Sequence, residues 1–239
     1  MMRLTRCASL AAMVLLTACE WGSVSSETAT DGSKARDPDP VMLEHSRPYA
    51  SEILERATQV YRTSQSYQDT GVVRTVYVTP QRERIGETRF KTAYVAPINF
   101  RFESRMGDFG GDDVVFIVAQ GAAGLETYFS SDPELMKTQT SIQGVLDAAA
   151  GISRDTSGMI PGIIFPGSKL GGDIVELTDA VRLKDESIDG VECFRVQGFR
   201  WPNTGTPTSV WIDKENFLIR QVYEEQTLND LHTRTTWSY

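Results

Sequence analysis

The chain has 239 residues, with 24 lysines and arginines against 32 aspartates and glutamates, and its formal net charge is −8. Because phosphate contacts rely on clusters of lysine and arginine, an acidic chain without a basic cluster argues against nucleic acid as a partner.

The N-terminal residues have the pattern of a secretory signal. Arg3 and Arg6 precede a stretch without charge that runs from Cys7 to Ala18. That stretch has the length of a signal-peptide core and is too short to cross a bilayer as a helix. Small residues at its end are typical of a cleavage site. The sequence therefore predicts a signal peptide over residues 1–18.

A single cysteine follows the predicted signal. Leu16-Thr17-Ala18-Cys19 resembles the lipobox of bacterial lipoproteins. The resemblance implies that the Cys19 thiol receives a diacylglycerol, that the bond before Cys19 is cut, and that the new amino group is acylated. An ordinary signal peptide with an incidental cysteine is the alternative. Because two or more acyl chains hold a protein stably on a membrane, we expect a lasting lipid anchor at Cys19.

The anchor indicates where the protein works. Glu20 follows the cysteine, where retention in the inner membrane favours aspartate, so the periplasmic face of the outer membrane is expected.

After removal of residues 1–18 the formal charge is −10, and Cys193 has no partner thiol for an intramolecular disulfide. Residues 19–40 are predicted to be the lipidated cysteine and a flexible tether. Residues 41–239 are long enough for one domain.

The folded part is predicted to open with an amphipathic helix. Apolar side chains recur there at helical spacing, at Ile53, Leu54, Ala57, Val60 and Tyr61. This spacing places them on one stripe that can be buried.

Beyond the helix the apolar period changes to two. Ile98, Phe100 and Phe102 alternate with polar residues, which is typical of a strand with one wet face. Further strands are predicted over 70–79, 87–96, 112–121, 124–131, 180–188, 191–201, 208–213, 217–226 and 231–239. Long antiparallel strands with one early helix predict a mainly β fold with some α structure. We expect a strongly curved sheet, or incomplete antiparallel β-barrel, closed by helices.

One apolar segment, residues 132–167, does not fit the sheet. Asp132-Pro133 is typical of a helix start, and Leu135, Ile142, Val145 and Leu146 follow at roughly helical spacing. Gly151 is expected to end this helix, and a short second helix or turn is expected between residues 159 and 166. Two compatible interpretations follow. The segment is either a plug that completes the core or a lid, at about residues 133–166, that covers a cavity.

Four segments carry a family resemblance. The segments at residues 61–78, "APINFRFESR" at 96–105, the insert ending in "GMIPGIIFPG", and "VWIDKENFLIRQVYEE" at 210–225 resemble the LolA-like superfamily. That superfamily includes the periplasmic lipoprotein carrier and its outer-membrane receptor. The resemblance implies an incomplete antiparallel barrel whose apolar concave face, closed by helices, accepts acyl chains. No polar pair matches a distinctive family site.

The resemblance and the alternation together define an expected ligand site. We expect the ligand to be an acyl chain or a lipoprotein, held by apolar residues of the cavity and the lid. These residues are Phe90, Tyr94, Ile98, Phe100, Phe102, Leu146, Ile160, Ile163 and Ile164.

Catalytic chemistry is not indicated. His45 and His232 lie in unrelated contexts, and neither has zinc-ligand spacing. A nucleophile elbow, a Walker loop and a dinucleotide fingerprint are missing. We therefore expect no enzyme, no metal and no cofactor. The leading hypothesis is a lipid-anchored periplasmic protein that binds a hydrophobic ligand. The alternatives are an envelope sensor or regulatory interaction lipoprotein of the same fold, and a structural lipoprotein with a filled core.

Overall fold

A computed structural model describes residues 47–107, 114–134, 139–167, 173–201 and 205–239. The predicted signal peptide, Cys19, the tether and Leu135 lie outside the described residues. None of the described helices is long and apolar enough to cross a membrane.

Within these described residues, eleven antiparallel strands form one sheet. The first half is a meander of β1 (Ser66–Thr79), β2 (Arg82–Val95), β3 (Asn99–Met106), β4 (Val114–Gly121) and β5 (Gly124–Phe129). The second half contains β6 (Thr178–Arg182), β7 (Glu186–Ile188), β8 (Val191–Phe199), β9 (Thr208–Asp213), β10 (Ile219–Leu228) and β11 (Leu231–Ser238). Pairing of β1 with β11 joins the two halves into the order β5-β4-β3-β2-β1-β11-β10-β9-β8-β6, with β7 beside β8.

The N-terminal helix α1 (Arg47–Thr63) is confirmed. Its apolar stripe is buried in the main hydrophobic cluster, and Ile53, Leu54, Ala57 and Tyr61 are its buried members. The Tyr61 hydroxyl accepts a hydrogen bond from the backbone N–H of Ile219 at 2.9 Å, which fixes the helix against β10.

In its described part, the segment between β5 and β6 contains two short α-helices, α2 (Ile142–Ala149) and α3 (Ile160–Ile164), and a 3₁₀ helix at Asp173–Val175. The prediction that a helix begins at Asp132-Pro133 is wrong. Asp132 instead accepts a hydrogen bond from the backbone of Glu134 in a turn, at 3.1 Å. The helix begins after Ser141, whose hydroxyl oxygen accepts the N–H of Gly144 and satisfies a donor that the first helical turn leaves unpaired.

Polar contacts attach this helical insert, residues 139–167, to the sheet. The Trp237 indole N–H on β11 donates to the carbonyl oxygen of Arg154 at 2.9 Å. Arg200, whose side chain is 1% exposed, pairs with Glu224 at 3.1 Å and with Asp155 at 3.5 Å. Burial raises the pKa of Asp155, and the Arg200 charge offsets part of that rise. The insert is therefore held by charged as well as apolar contacts.

Two details of the predicted strands differ from the structure. Ile98 is 42% exposed and lies in the turn before β3, so the expectation that it faces the interior with Phe100 and Phe102 is wrong. The alternation of faces applies only inside a pleated strand, and the pleat begins at Asn99. The strand predicted over 180–188 is divided into β6 and β7, and the ion pair between Arg182 and Asp185 lies at the division.

The predicted fold class is confirmed. The protein is mainly β, with an open, curved antiparallel sheet and a few helices whose apolar side chains pack in one cluster with those of the sheet.

Candidate functional site

The sheet contributes one half of the expected ligand site. In register, Tyr94 on β2 lies opposite Phe100 on β3, and Thr92 lies opposite Phe102. Phe90, Phe100 and Phe102 are 3%, 3% and 0% exposed, whereas their neighbours Lys91, Arg101 and Ala93 are exposed. The aromatic side chains therefore share the inner face, as the alternation predicted.

The insert contributes the other half. Leu146 of α2 and Ile160, Ile163 and Ile164 of α3 are buried in the same hydrophobic cluster as the three phenylalanines. Tyr94 packs against that cluster. Eight of the nine predicted contact residues therefore belong to this cluster or pack against it, and only Ile98, which is exposed, lies outside it.

Phe165 closes one end of this interface. Its ring meets Phe100 edge-on at a centroid distance of 4.9 Å and meets Tyr94 at 5.6 Å. Such pairs contribute about 0.5–1.5 kcal/mol each beyond their buried area. The sequence did not identify Phe165 as a site residue, although it follows the apolar run of α3 directly.

The insert fills the concave face in this structure. Leu146, Ile160 and Ile163 are each 0% exposed, as expected for a plug. Tyr94 and Phe100 also border an open depression of about 400 Å³, but most of its lining residues, such as Ala93 and Arg101, belong to the outer face. A ligand between insert and sheet would therefore have to displace side chains of the insert.

A polar group at the start of β1 was missed by the sequence reasoning. The Tyr67 hydroxyl donates to Asp69 Oδ2 at 2.7 Å, and the backbone N–H of Thr92 donates to Asp69 Oδ1 at 3.0 Å. Burial raises the pKa of Asp69, and these two hydrogen bonds offset part of the rise. The sequence does contain an indication of this group. Asp69 lies four residues before the buried Val73, so the two side chains share one face of the strand.

Metal and thiol chemistry find little support in the described part of the chain. No group of three or more His, Cys, Asp or Glu side chains converges there in a way that could hold a metal ion. Cys193 is 0% exposed, and burial raises the pKa of its thiol, which disfavours the reactive thiolate.

Comparisons with known proteins give matches at low similarity. No protein-family model and no curated protein matches the chain. A LolA superfamily protein from Nitrosomonas europaea has 13% identity and a TM-score of 0.26, over 80% of this chain and 91% of that chain. LprF from Mycobacterium bovis has 13% identity and a TM-score of 0.40, over 81% and 93%.

A third match is a complex. MucB of Pseudomonas aeruginosa, solved with MucA, has 11% identity and a TM-score of 0.40, over 78% of this chain and 54% of that chain. The chain thus spans about half the length of MucB. The fold class rests on the strand order above, and the matches carry no argument about ligand or partner.

Proposed function

We propose that this chain is a binding protein of the bacterial envelope, anchored at Cys19, that holds an acyl chain or similar hydrophobic ligand inside its half-barrel. Its role is binding in lipid or lipoprotein transport, without catalysis. One observation supports the proposal: eight residues expected to contact the ligand belong to, or pack against, the one hydrophobic cluster that contains both the inner face of the sheet and the helical insert.

Ligand binding is then an exchange of apolar contacts. Each methylene that a ligand buries contributes about 0.8 kcal/mol. The ligand has to replace contacts that Leu146, Ile160 and Ile163 make inside the hydrophobic cluster in this structure. The aromatic contacts of Phe165 with Phe100 and Tyr94 oppose this exchange at one end of the interface. Affinity therefore depends on how tightly the insert is held.

Brominated fatty acids test the location of the ligand, because bromine quenches tryptophan fluorescence on contact. Trp237 is buried in the inner cluster, and Trp211 is buried on the opposite face of the sheet, where its indole N–H donates to Glu186 at 2.8 Å. Trp237→Phe should remove most of the quenching by a brominated acyl chain. Trp211→Phe, the matched control, should leave it in place.

Quenching that disappears only in the Trp211 variant would contradict the proposal, as would a wild-type chain that binds no acyl probe. The second candidate, an envelope sensor or regulatory interaction lipoprotein, would then take precedence. The filled interior favours that candidate, because an interaction protein needs a stable core and no internal cavity. Native mass spectrometry of the full chain would add a direct search for co-purified lipid.

A further inference from the structure

Three chain segments meet at one end of the first half of the sheet. The start of β1 lies beside the end of β2, with Ser66 opposite Val95, and the end of β2 lies beside the start of β3. The end of β4 pairs with the start of β3 on one side and, across a tight turn, with the start of β5 on the other. Residues 64–68, 91–101 and 119–125 therefore form one rim, here named the upper rim.

The turn between β2 and β3 gives the upper rim an exposed apolar tip. Val95 is 52% exposed, Ile98 is 42% exposed, and Pro97 between them is exposed as well. Ala122 and Ala123 are exposed in the neighbouring turn between β4 and β5. Exposed apolar side chains that are grouped in this way mark a surface that contacts a membrane or another protein.

The upper rim carries positive charge and no negative charge. Lys91 and Arg101 belong to it, and none of its residues is an aspartate or glutamate, although the chain contains 32 of these acids. Both cations are exposed on the outer face. Arg101 pairs with Glu103, which lies beyond the rim, at 3.3 Å, and no ion pair of the described residues includes Lys91. An anionic surface can therefore approach the rim without meeting a carboxylate of the rim itself.

Further cations continue from the upper rim along the outer face. Arg89 of β2 and Arg105 of β3 lie directly opposite each other in register, and both are exposed. Like charges in that position destabilise a strand pair. Arg89 pairs with Glu87 at 3.1 Å, and Arg105 pairs at 2.8 Å with the same Glu103 that Arg101 contacts. Cations therefore outnumber carboxylates on this face of a chain whose formal net charge is −8.

We infer that the upper rim docks on the surface of a lipid bilayer that contains anionic phospholipids. The apolar tip enters the boundary between head groups and acyl chains, as the apolar face of a membrane-surface segment does. Lys91 and Arg101 then lie at the level of the lipid phosphates, which attract them. A bilayer fits better than a protein partner, because apolar side chains at a tip with cations behind them match the order of its layers. This contact is additional to the anchor at Cys19 and does not depend on it.

The corresponding end of the second half of the sheet has the opposite charge. Cys193 of β8 lies opposite Asp213 of β9 there, and the adjoining residues Glu192 and Glu215 are exposed. An anionic surface repels these carboxylates. The bilayer contact is therefore limited to the first half of the sheet.

A dye on the upper rim tests the contact in the full chain. Cys7→Ser and Cys19→Ser remove the other reactive thiols and any attached lipid, and the remaining Cys193 is buried. The dye is placed at Ala122→Cys in the rim or, as the control, at Gln81→Cys in the turn at the opposite end of β2. Vesicles of phosphatidylcholine and phosphatidylglycerol with a nitroxide-labelled lipid should quench the dye at residue 122 and spare that at residue 81. Vesicles without phosphatidylglycerol should quench the dye at residue 122 much less.

Removal of the two rim cations tests the charge contribution. Lys91→Gln combined with Arg101→Gln should weaken docking about thirtyfold, the equivalent of about 2 kcal/mol, since each cation near an anionic surface contributes about 1 kcal/mol. Arg82→Gln combined with Lys184→Gln removes the same charge from exposed positions outside the rim and should leave the quenching at residue 122 in place. Equal effects of the two pairs would overturn the inference, because net charge alone would then explain the binding.

Ile98→Ser tests the apolar tip and should reduce the quenching at residue 122. Ile85→Ser is the matched control, because Ile85 is 50% exposed but lies towards the other end of β2, and it should have no effect. Equal quenching of the dyes at residues 122 and 81 in the chain without these rim substitutions would also overturn the inference, whether or not any variant folds. Absence of quenching at both positions would do the same and would favour a protein partner for the rim.

Discussion

The indole N–H of Trp237 donates to the backbone carbonyl of Arg154 at 2.9 Å and so joins β11 to the helical insert. The ring itself is 4% exposed and belongs to the main hydrophobic cluster. The same side chain therefore packs in the core and fixes the position of the loop between α2 and α3.

Trp237→Phe should destabilise the protein by about 1–3 kcal/mol, because it leaves the partly buried carbonyl of Arg154 without its donor. Urea denaturation followed by circular dichroism measures the change. Trp201→Phe makes the same chemical change at a side chain that is 39% exposed and should alter stability by less than about 0.5 kcal/mol. Equal effects of the two substitutions would mean that the contact with the insert contributes nothing measurable.

Phe102→Ala should cost about 3–5 kcal/mol, because the ring is 0% exposed and its loss leaves a cavity on the inner face of β3. Its neighbour Arg101 points to the outer face and forms an exposed ion pair with Glu103 at 3.3 Å. Arg101→Ala should therefore cost less than about 1 kcal/mol. A milder effect at Phe102 than at Arg101 in urea unfolding would contradict the assignment of the two faces.

Cys19→Ser should leave an unprocessed precursor that takes up no radiolabelled fatty acid, because serine lacks the thiol that receives the lipid. Cys7→Ser is the control, since Cys7 lies inside the predicted signal peptide and its replacement should leave processing intact. Labelling with acyl precursor and partition into detergent measure both outcomes. A Cys19 variant that still partitions into detergent and carries label would refute the lipoprotein prediction.

Local patterns explain which features the sequence could reveal. The stripe of α1 and the alternation of Phe100 and Phe102 arise from periods of a few residues, and both are confirmed. The position of Ile98 was predicted wrongly because the alternation was extended into a turn. The start of α2 was predicted wrongly because Asp132-Pro133 and Ser141 are both plausible helix starts, and Ser141 is the one that caps the helix.

The pairing of β1 with β11 could not be predicted for a different reason. It depends on the register between β1 and β11, whose paired residues Val72 and Ser238 lie far apart in the chain. No local period encodes such a register. The proximity of Asp69 to Tyr239 follows from it, although the alternation along β1 alone would have placed Asp69 on the inner face.

Asp69→Asn should change how stability depends on pH. Burial raises the pKa of Asp69 above its ordinary value of 3.8, so the folded protein holds this proton more tightly than the unfolded chain. The group then stabilises the fold most below its unfolded pKa, and that contribution is lost as the pH rises through the folded value. Relative to the Asn variant, the wild type should therefore be most stable at acidic pH and should lose this advantage towards neutral pH.

Asp213→Asn is a control for which the expected change of stability with pH has the opposite sign. Burial acts to raise the pKa of Asp213, but hydrogen bonds from Arg220 and from the backbone of Glu215 outweigh burial and hold the pKa below its ordinary value. Relative to Asp213→Asn, the wild type should therefore gain stability as the pH rises from the acidic range and keep it at neutral pH. Urea unfolding at intervals from about pH 3 to pH 8 compares the two trends on either side of the ordinary aspartate pKa of about 3.9. The two stability differences, each wild type minus its Asn variant, are expected to change with pH in opposite directions. The reason is that Arg220 compensates the charge of Asp213, whereas no described cation compensates that of Asp69. Differences that change with pH in the same direction would show that Asp69 is not a buried acid.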